Sequence, residues 1–224
     1  MLREHFGKVR FIVPANAYSA ATLICFAGDE IVMDTGATLG PIDPQINGIP
    51  ARAILRAFEK IEKRLKDEGP RALSAYMPLI QKYDLHILEI CTSAQELSQE
   101  LARNFLSSYM LGLKEDSPKI GEIVDFFFDF DIQKSHGRSI DRDKAREQGL
   151  KVTNLEETDG LTDLVRSLYN QYEIWFDKTT FYKMFENAHG IGWGRQAEQV
   201  TVQLPLTPAP AQPIPQPGPP QPSG

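Results

Sequence analysis

Hydrophobic positions near the start of the chain form three short runs separated by turn residues. Residues 9–13 are β-branched, aromatic or long, which predicts a short buried strand. Residues 20–27 are a compact apolar segment that predicts a helix, and residues 30–33 predict a second strand. Turns are predicted at 35–36 and 40–44, because proline restricts its own φ and the conformation of the residue before it. The opening is therefore predicted to be a strand–helix–strand unit.

The remainder of the chain is predicted to be mostly helical. Residues 51–67 carry apolar side chains on one face and charged i,i+4 pairs on the other, which is typical of an amphipathic helix. Ser-Ala-Gln-Glu at 93–96 has the form of a capping box, so a helix is predicted to begin there. Further helices are predicted from 118, after Asp141, over 161–172 and over 181–185. This order favours an α/β fold in which helices cover one face and one end of a sheet.

Composition and charge exclude several classes of function. The chain has 224 residues, 42% of them hydrophobic, and a formal net charge of -6. An acidic protein does not attract nucleic acid or an anionic membrane surface, so neither is predicted as a partner. Cys25 and Cys91 lie in apolar patterns without metal-ligand spacing, which is typical of buried thiols in a reducing compartment. No run has the length of a membrane span, and a cytoplasmic location is expected.

A change in composition near residue 200 predicts the domain organisation. Residues 204–224 contain nine of the sixteen prolines and almost no charge. Such a segment cannot bury enough apolar surface to offset the entropy of ordering it. We therefore predict one domain over residues 1–200, followed by a disordered proline-rich tail over 201–224. A second reading of the tail, as a ligand for a proline-recognition groove, stays open.

A single hydroxyl group, that of Ser19, stands between the first predicted strand and the apolar helix. Serine is a preferred N-cap residue, because its side chain accepts a hydrogen bond from a backbone N–H of the first turn. The alternative is a nucleophile at a strand-to-helix turn, where the first amides of the helix point toward the group under attack. The sequence alone leaves both interpretations open.

The motifs around Ser19 resemble a known family. The segment VRFIVPANAYSAATLICFAGDEIVMDTGATLGPIDPQI, residues 9–46, resembles the nucleophile region of the ClpP-like serine peptidases. Within these it resembles the serine dehydrogenase proteinase group, which is related to the signal peptide peptidase SppA. The resemblance rests on Ser19, Thr22 and the segments 29–33 and 39–45. Segments 84–110 and 135–152 are also similar to bacterial members, so the resemblance covers roughly residues 8–190.

The resemblance implies a ClpP/crotonase-like fold, a spiral of ββα units that usually forms homo-oligomers. It implies a peptide or protein substrate and neither a cofactor nor a metal. Family members carry a further βα unit upstream, whose loop supplies half of the oxyanion hole, so this chain is expected to be N-terminally incomplete. Loss of one oxyanion donor typically costs about a hundred- to a thousandfold in rate. Ala20 and Ala21 stand where the family more often has Ala-Gly, which leaves the Ala20 amide as an oxyanion donor.

A nucleophilic Ser19 requires a base within hydrogen-bond distance. His136 is the main candidate, because it lies in an irregular Ser-His-Gly-Arg segment that resembles the family's histidine segment. Lys60 is the alternative, by analogy with the lysine of SppA, although it falls on a charged helix face. Asp43 is the candidate third member of the triad, from a Gly-Pro-Ile-Asp-Pro turn that resembles a family signature. Asp129 and Asp131 remain its rivals, and Arg138 is a nearby cation that a peptide carboxylate would attract.

Three hypotheses about function follow. The first is a serine peptidase that forms an acyl-enzyme on Ser19, with His136 and Asp43 completing the triad and the Ala20 amide as oxyanion donor. The second is a noncatalytic oligomeric scaffold that keeps the fold without the chemistry. The third, an acyl-CoA enzyme of the crotonase type, is weaker, because such enzymes rarely place a nucleophilic serine at this position.

Overall fold

The computed structural model describes residues 2–69, 73–81, 86–128 and 139–197, which form a mixed α/β structure of helices and small sheets. The predicted tail at 201–224 lies outside these ranges. Two compact units are distinguished, residues 1–170 and residues 171–224, and each is described by itself. Among the described residues, no helix has the length and apolar character needed to cross a membrane. The predicted single domain over 1–200 stays a prediction.

The strand–helix–strand opening is confirmed, and its elements are short. In chain order they are α1 (Leu2–His5), β1 (Arg10–Val13), β2 (Asn16–Ala17), α2 (Ala20–Cys25), β3 (Glu30–Met33), β4 (Thr38–Leu39), β5 (Gln45–Ile46) and β6 (Ile49–Pro50).

Longer helices follow, as the amphipathic patterns predict. They are α3 (Ala51–Glu68), α4 (Leu73–Ile80), α5 (His86–Phe105), which continues into a π-helical segment (Leu106–Leu111), and α6 (Pro118–Phe128). The chain then forms β7 (Ile140–Asp141), α7 (Arg142–Glu147), β8 (Val152–Asn154), a 3-10 turn (Leu155–Glu157), α8 (Thr162–Lys178) and the strands β9 (Phe181–Glu186) and β10 (Gly192–Gln196).

Two three-stranded sheets organise the first unit. In one, β3 lies between β1 and β8, and both neighbours run parallel to it. In the other, β4 lies between β2, which is parallel to it, and β7, which is antiparallel. The central strand β3 is apolar at Ile31, Val32 and Met33, and all three are fully buried. This is the near-continuous apolar run expected of a strand that is covered on both faces.

Helices α5 and α6 cover the core that contains these strands. Phe26, at the end of α2, packs edge-to-face on Phe127 of α6, with ring centroids 5.2 Å apart. A second cluster joins Ala51 and Ile54 of α3 to Cys91 of α5. Both cysteines are buried free thiols, as predicted, and burial raises the pKa of the Cys25 thiol to about 12.

An ion pair attaches α8 to the end of β3. The Arg166 guanidinium donates from Nε and Nη2 to the two carboxylate oxygens of Asp34, at 2.8 and 2.6 Å. The Thr35 backbone N–H donates to the same carboxylate at 2.7 Å. These donors, the guanidinium first, lower the pKa of Asp34, whose side chain is buried. The contact joins residues 132 positions apart in the sequence.

The second unit contains the end of α8 and the β9–β10 hairpin. The prediction of a helix over 181–185 is wrong, because residues Phe181–Glu186 are a strand paired antiparallel with Gly192–Gln196. Phe181, Met184 and Phe185 are spaced as on a helical face, but they belong to an extended strand, in which the neighbours Met184 and Phe185 point to opposite faces. Aromatic side chains favour strands. The turn at Asn187 and Gly190 reverses the chain direction, so that the second strand pairs with the first.

The predicted start of a helix at the capping box of residues 93–96 is also wrong. Helix α5 begins seven residues earlier, at His86, and passes through this segment without interruption. Ile87, Leu88 and Cys91 continue the apolar stripe toward the N-terminus, so packing against α3 holds the earlier turns in place. The Ser98 hydroxyl, further along, donates to the carbonyl of Ala94 within the helix, at 2.8 Å.

Candidate active site

Ser19 occupies a sharp turn between β2 and α2. Its backbone has φ 52° and ψ -115°, and the Ala21 N–H donates to the Tyr18 carbonyl at 3.0 Å across the turn. The Ser19 carbonyl accepts the first helical hydrogen bond, from the Leu23 N–H at 3.1 Å. Positive φ costs a residue with a side chain about 1–2 kcal/mol. Only two described residues other than glycine have it, Ser19 and Asn47.

The Ser19 hydroxyl does not act as a helix cap. Ser19 stands at the N-cap position of α2, yet its side chain makes no capping hydrogen bond within the described structure. Its Oγ lies 3.5 Å from the Asp43 carbonyl oxygen, at the limit of hydrogen-bond distance. The side chain is half-buried, which leaves part of it open to solvent. The interpretation of Ser19 as a simple cap is therefore wrong.

Thr22, in the first turn of α2, stabilises the Ser19 turn through hydrogen bonds to its flanking segments. Its fully buried hydroxyl lies 2.6 Å from the Ala17 carbonyl oxygen and 2.9 Å from the Gly40 carbonyl oxygen, and it accepts from the Gly40 N–H at 3.2 Å. The Gly40 N–H also donates to the Ala17 carbonyl, at 3.1 Å. One side chain thus joins the strand before Ser19 to the strand that leads to Asp43.

Tyr18 covers the other side of this junction. A Cβ on Gly40 would lie 2.5 Å from Tyr18 Cδ1 and 3.1 Å from Tyr18 Cβ, so only glycine lets the ring approach this closely. The Tyr18 hydroxyl contacts the Thr38 hydroxyl at 3.0 Å and donates to Asn16 Oδ1 at 3.2 Å. These contacts hold the Tyr18 ring against Gly40, with 42% of the residue exposed.

Asp43 is brought to Ser19 through its backbone. The segment 41–43 is buried, and the Ile42 N–H donates to the Phe127 carbonyl at 2.8 Å, which fixes the segment against the end of α6. The Asp43 carbonyl oxygen lies within reach of Ser19 Oγ, at 3.5 Å. Burial, and secondarily the charge of Asp43, raise the pKa of the Cys91 thiol. The Asp43 carboxylate therefore interacts electrostatically with a residue of α5.

The other predicted site residues are distributed as follows. Ala20 is the exposed first residue of α2, where backbone N–H groups lack helical acceptors. Lys60 is exposed on α3 and lines a groove with Tyr76 of α4. His136, Asp129, Asp131 and Arg138 lie outside the described residues.

Two residues with clear structural roles at the site were not assigned those roles from the sequence. The signal for Thr22 was available, because it is the only hydroxyl inside the apolar pattern of residues 20–27. A buried hydroxyl in such a pattern requires hydrogen-bond partners. No comparable signal identified Tyr18, whose packing depends on a glycine more than twenty positions away.

Comparisons with known proteins concern the same part of the chain. Residues 1–75 match the family model described as ClpP-like SDH-type serine proteinase. Uncharacterized protein MJ1495 of Methanocaldococcus jannaschii is 33% identical over 108 residues, which is 47% of this chain and 37% of that protein. Uncharacterized protein MJ0137 of the same organism is 48% identical over 59 residues, or 26% of this chain and 21% of that protein. No solved structure matches.

The matched segments therefore span about a third and a fifth of these relatives. The resemblance is confirmed for residues 1–75, and its extension toward residue 190 stays a prediction. The segment that contains Ser19, Thr22 and Asp43 is similar to the ClpP-like SDH-type serine proteinases, as its motifs predicted.

Proposed function

We propose that the protein is a serine peptidase in which Ser19 attacks the carbonyl of a peptide or protein substrate. The observation that carries the proposal is the backbone of Ser19, at φ 52° in a turn from strand to helix. Strained conformations of this kind persist only where the surroundings enforce them, and they concentrate at functional sites. A serine on a strained strand-to-helix turn is the arrangement of a nucleophile elbow.

The proposed reaction has two steps. Ser19 Oγ forms a bond to the substrate carbonyl carbon and gives its proton to the base, and the negative charge moves to the carbonyl oxygen. The C–N bond then breaks, and the amine leaves with the proton that the base returns. Water hydrolyses the resulting ester by the same route, which frees the acid and restores the Ser19 hydroxyl. In this scheme the Ala20 N–H donates to the oxyanion.

The base and the third member of the triad are proposals. His136 is the proposed base, with Lys60 as the alternative. Lys60 is exposed on α3, and a lysine that serves as a base needs burial to lower its pKa, so its position favours His136. For Asp43, burial and the 3.5 Å distance from its carbonyl oxygen to Ser19 Oγ support a place in the site, while its role in orienting an imidazole is proposed.

The finer description of the fold belongs to the same proposal. Each three-stranded sheet contains a parallel pair, and the same pairing pattern occurs in both: β1 pairs with β3, and β2 pairs with β4. This repetition supports a spiral of ββα units as in ClpP-like and crotonase-like proteins. Homo-oligomer formation and a cytoplasmic location are proposed on the same resemblance.

A fluorophosphonate probe tests the nucleophile directly, because it forms a covalent bond with an activated serine. We expect stoichiometric labelling of the natural chain and complete loss of labelling in Ser19→Ala. Ser107→Ala is the matched control, since Ser107 is also half-buried and its hydroxyl also contacts one backbone carbonyl, that of Leu113 at 2.7 Å. Folded protein that takes up no probe would contradict the proposal and favour the scaffold hypothesis.

The base is tested on the same labelling reaction. His136→Ala should lower the labelling rate by a factor approaching that of Ser19→Ala, because nucleophile and base act as one unit. Lys60→Ala should leave the rate unchanged. The reverse result would assign the base to Lys60.

A further inference from the structure

Asn47 and Gly48 form the turn of a small hairpin that joins β5 to β6. Both residues are exposed, and both have positive φ, at 52° and 79°. Positive φ at both central residues defines a type I′ turn, for which Asn-Gly is a preferred sequence. Ile46 and Ile49 pair across the turn, and the described structure pairs neither strand with a third. A two-stranded hairpin of this length is marginally stable, so its turn opens more readily than the strands of the core.

An asparagine followed by glycine brings together the two groups of an intramolecular reaction. The backbone nitrogen of the glycine can attack the side-chain amide carbon of the asparagine, and a glycine has no side chain to obstruct the approach. The asparagine must first rotate about ψ and about its side-chain bonds until the two atoms meet. Hydrogen bonds to the amide or to the adjoining backbone oppose this rotation. The structure around each asparagine therefore controls how readily it reacts.

Asn47 carries none of these restraints within the described part of the chain. Its side-chain amide makes no hydrogen bond there, and the Gly48 N–H makes none either. Apart from its chain neighbours, a Cβ on Gly48 would have no heavy atom within 4 Å, so the space around the attacking nitrogen is open. Rotation about ψ of Asn47 therefore disturbs only the short pairing of β5 with β6.

Four of the other five asparagines of the chain are restrained by helices or by side chains. Asn104 and Asn170 lie inside α5 and α8, where the next backbone N–H donates within the helix. The Asn16 Oδ1 accepts from two hydroxyl groups, at 2.8 and 3.2 Å. The Asn154 amide bonds to two charged side chains, at 2.6 and 2.8 Å. None of these four precedes a glycine.

Asn187 is the informative comparison, because it also lies in an exposed turn, between β9 and β10. Its Oδ1 accepts from the His189 and Ile191 N–H groups, at 3.0 and 3.1 Å. Its backbone N–H donates to the Ile191 carbonyl, and its carbonyl accepts from the Gly190 N–H, at 3.1 and 3.0 Å. Four hydrogen bonds thus hold both groups that would have to rotate, and Ala188 follows in place of a glycine.

We propose that Asn47 is a site of spontaneous deamidation, whose product is isoaspartate in the β5–β6 turn. The Gly48 nitrogen loses its proton and forms a bond to Asn47 Cγ. The bond from Cγ to the amide nitrogen breaks, and that nitrogen leaves as ammonia, which gives a cyclic imide. Water then adds to the imide. Where the bond between the Asn47 backbone carbonyl carbon and the Gly48 nitrogen breaks, the chain continues through Cγ as isoaspartate, and where the new bond breaks, aspartate forms.

Isoaspartate changes the turn in two ways. It lengthens the backbone by a methylene group, which is incompatible with the type I′ geometry. It also adds a carboxylate, so the net charge becomes more negative than -6. The Ala51 N–H donates to the Pro44 carbonyl at 2.8 Å and closes the base of the hairpin. We therefore expect the structural change to be confined to the hairpin, and the proposal does not depend on the peptidase activity.

Incubation of the full folded chain at neutral pH, followed by digestion and mass spectrometry, tests the proposal. We expect the peptide that contains Asn47 to show the mass change of an NH2 group replaced by OH. The same peptide should accept a methyl group from S-adenosylmethionine through a protein isoaspartate methyltransferase, which acts on isoaspartate. The peptides that contain the other five asparagines should stay unmodified over the same time. An Asn47 peptide that stays unmodified, while the chain unfolded in urea is converted, overturns the proposal, because the turn then protects the amide.

Ala188→Gly separates the effect of structure from that of sequence. It places a second Asn-Gly pair in an exposed turn whose asparagine is held by hydrogen bonds. In the folded variant we expect Asn187 to react at least about tenfold more slowly than Asn47, because those bonds must break before the amide can rotate. In urea, where the bonds are absent, the two asparagines should react at similar rates. Equal rates in the folded variant overturn the argument, since sequence alone then determines the reaction.

Discussion

Replacement of Thr22 by valine separates the hydrogen bonds of its hydroxyl from the packing of its methyl group. Valine keeps the shape of threonine and removes the oxygen that contacts the Ala17 carbonyl, the Gly40 carbonyl and the Gly40 N–H. A buried carbonyl that loses its donor costs about 1–3 kcal/mol. We expect Thr22→Val to lower the free energy of unfolding by about 2–3 kcal/mol, measured by urea denaturation.

Thr22→Ser is the matched variant, because it keeps the hydroxyl and removes the methyl. One buried methyl group contributes about 1 kcal/mol, so the serine variant should be more stable than the valine variant. The rate of fluorophosphonate labelling should follow the same order, since the hydroxyl joins both strands that flank Ser19. If Thr22→Val is as stable as the natural chain, or more stable than Thr22→Ser, then packing alone holds this turn and the reasoning is wrong.

Three further predictions concern other contacts. The folded-state pKa of Asp34 is lowered, so its ion pair with Arg166 stabilises the protein fully near neutral pH, and this contribution falls as the pH drops below about 4. Arg166→Ala should therefore reduce the free energy of unfolding at pH 7. The further decrease of this free energy in acid should be smaller than in the natural chain, as measured by urea denaturation at several pH values. Gly40→Ala should lower the free energy of unfolding by about 1–3 kcal/mol through the clash with Tyr18, and Tyr18→Ala should partly restore it. Ser19→Gly should be more stable than Ser19→Ala by about 1 kcal/mol, because glycine adopts positive φ without a steric penalty.

The first two of these predictions have a control within the chain. Lys66→Ala removes the partner of Glu62 in an exposed i,i+4 pair, and such pairs contribute little, so stability should hardly change. Gly7→Ala adds a methyl where nothing lies within 4 Å, and it should be neutral. The Asp34 argument is contradicted if Arg166→Ala keeps a steep acid transition. The Gly40 argument is contradicted if Gly40→Ala is neutral, and the Ser19 argument if its two variants are equally stable.

The opening of the chain was predictable because its signals are local. β1 and β3 are short runs of apolar residues bounded by turn residues, and the structure gives Arg10–Val13 and Glu30–Met33. Ser19 stands out for the same reason, since it interrupts an apolar pattern at a predicted turn. The start of α5 and the β9–β10 hairpin were mispredicted, because tertiary packing extends the first and aromatic side chains occupy both faces of the second.

Contacts between distant segments leave no periodic signal in one sequence. The hydroxyl of Thr22 reaches Gly40, 18 positions away, and Arg166 reaches Asp34 across 132 positions. Neither pair can be recognised from spacing, because many other side chains of the same types lie in between. The partners of Ser19 are of this kind, which is why the sequence offered several candidate bases.

The position of β3 has a consequence for the order in which the protein folds. Its neighbour β1 is available early in synthesis, but β8 is encoded far downstream, and the Thr153 hydroxyl bonds to the Glu30 carboxylate across 123 positions. Contacts of such long range slow folding, since closing a long loop has a high entropy cost before the contact forms. During translation one edge of β3 therefore stays unpaired while more than half of the described chain is made. That edge is a site for chaperone binding or for aggregation in the nascent protein.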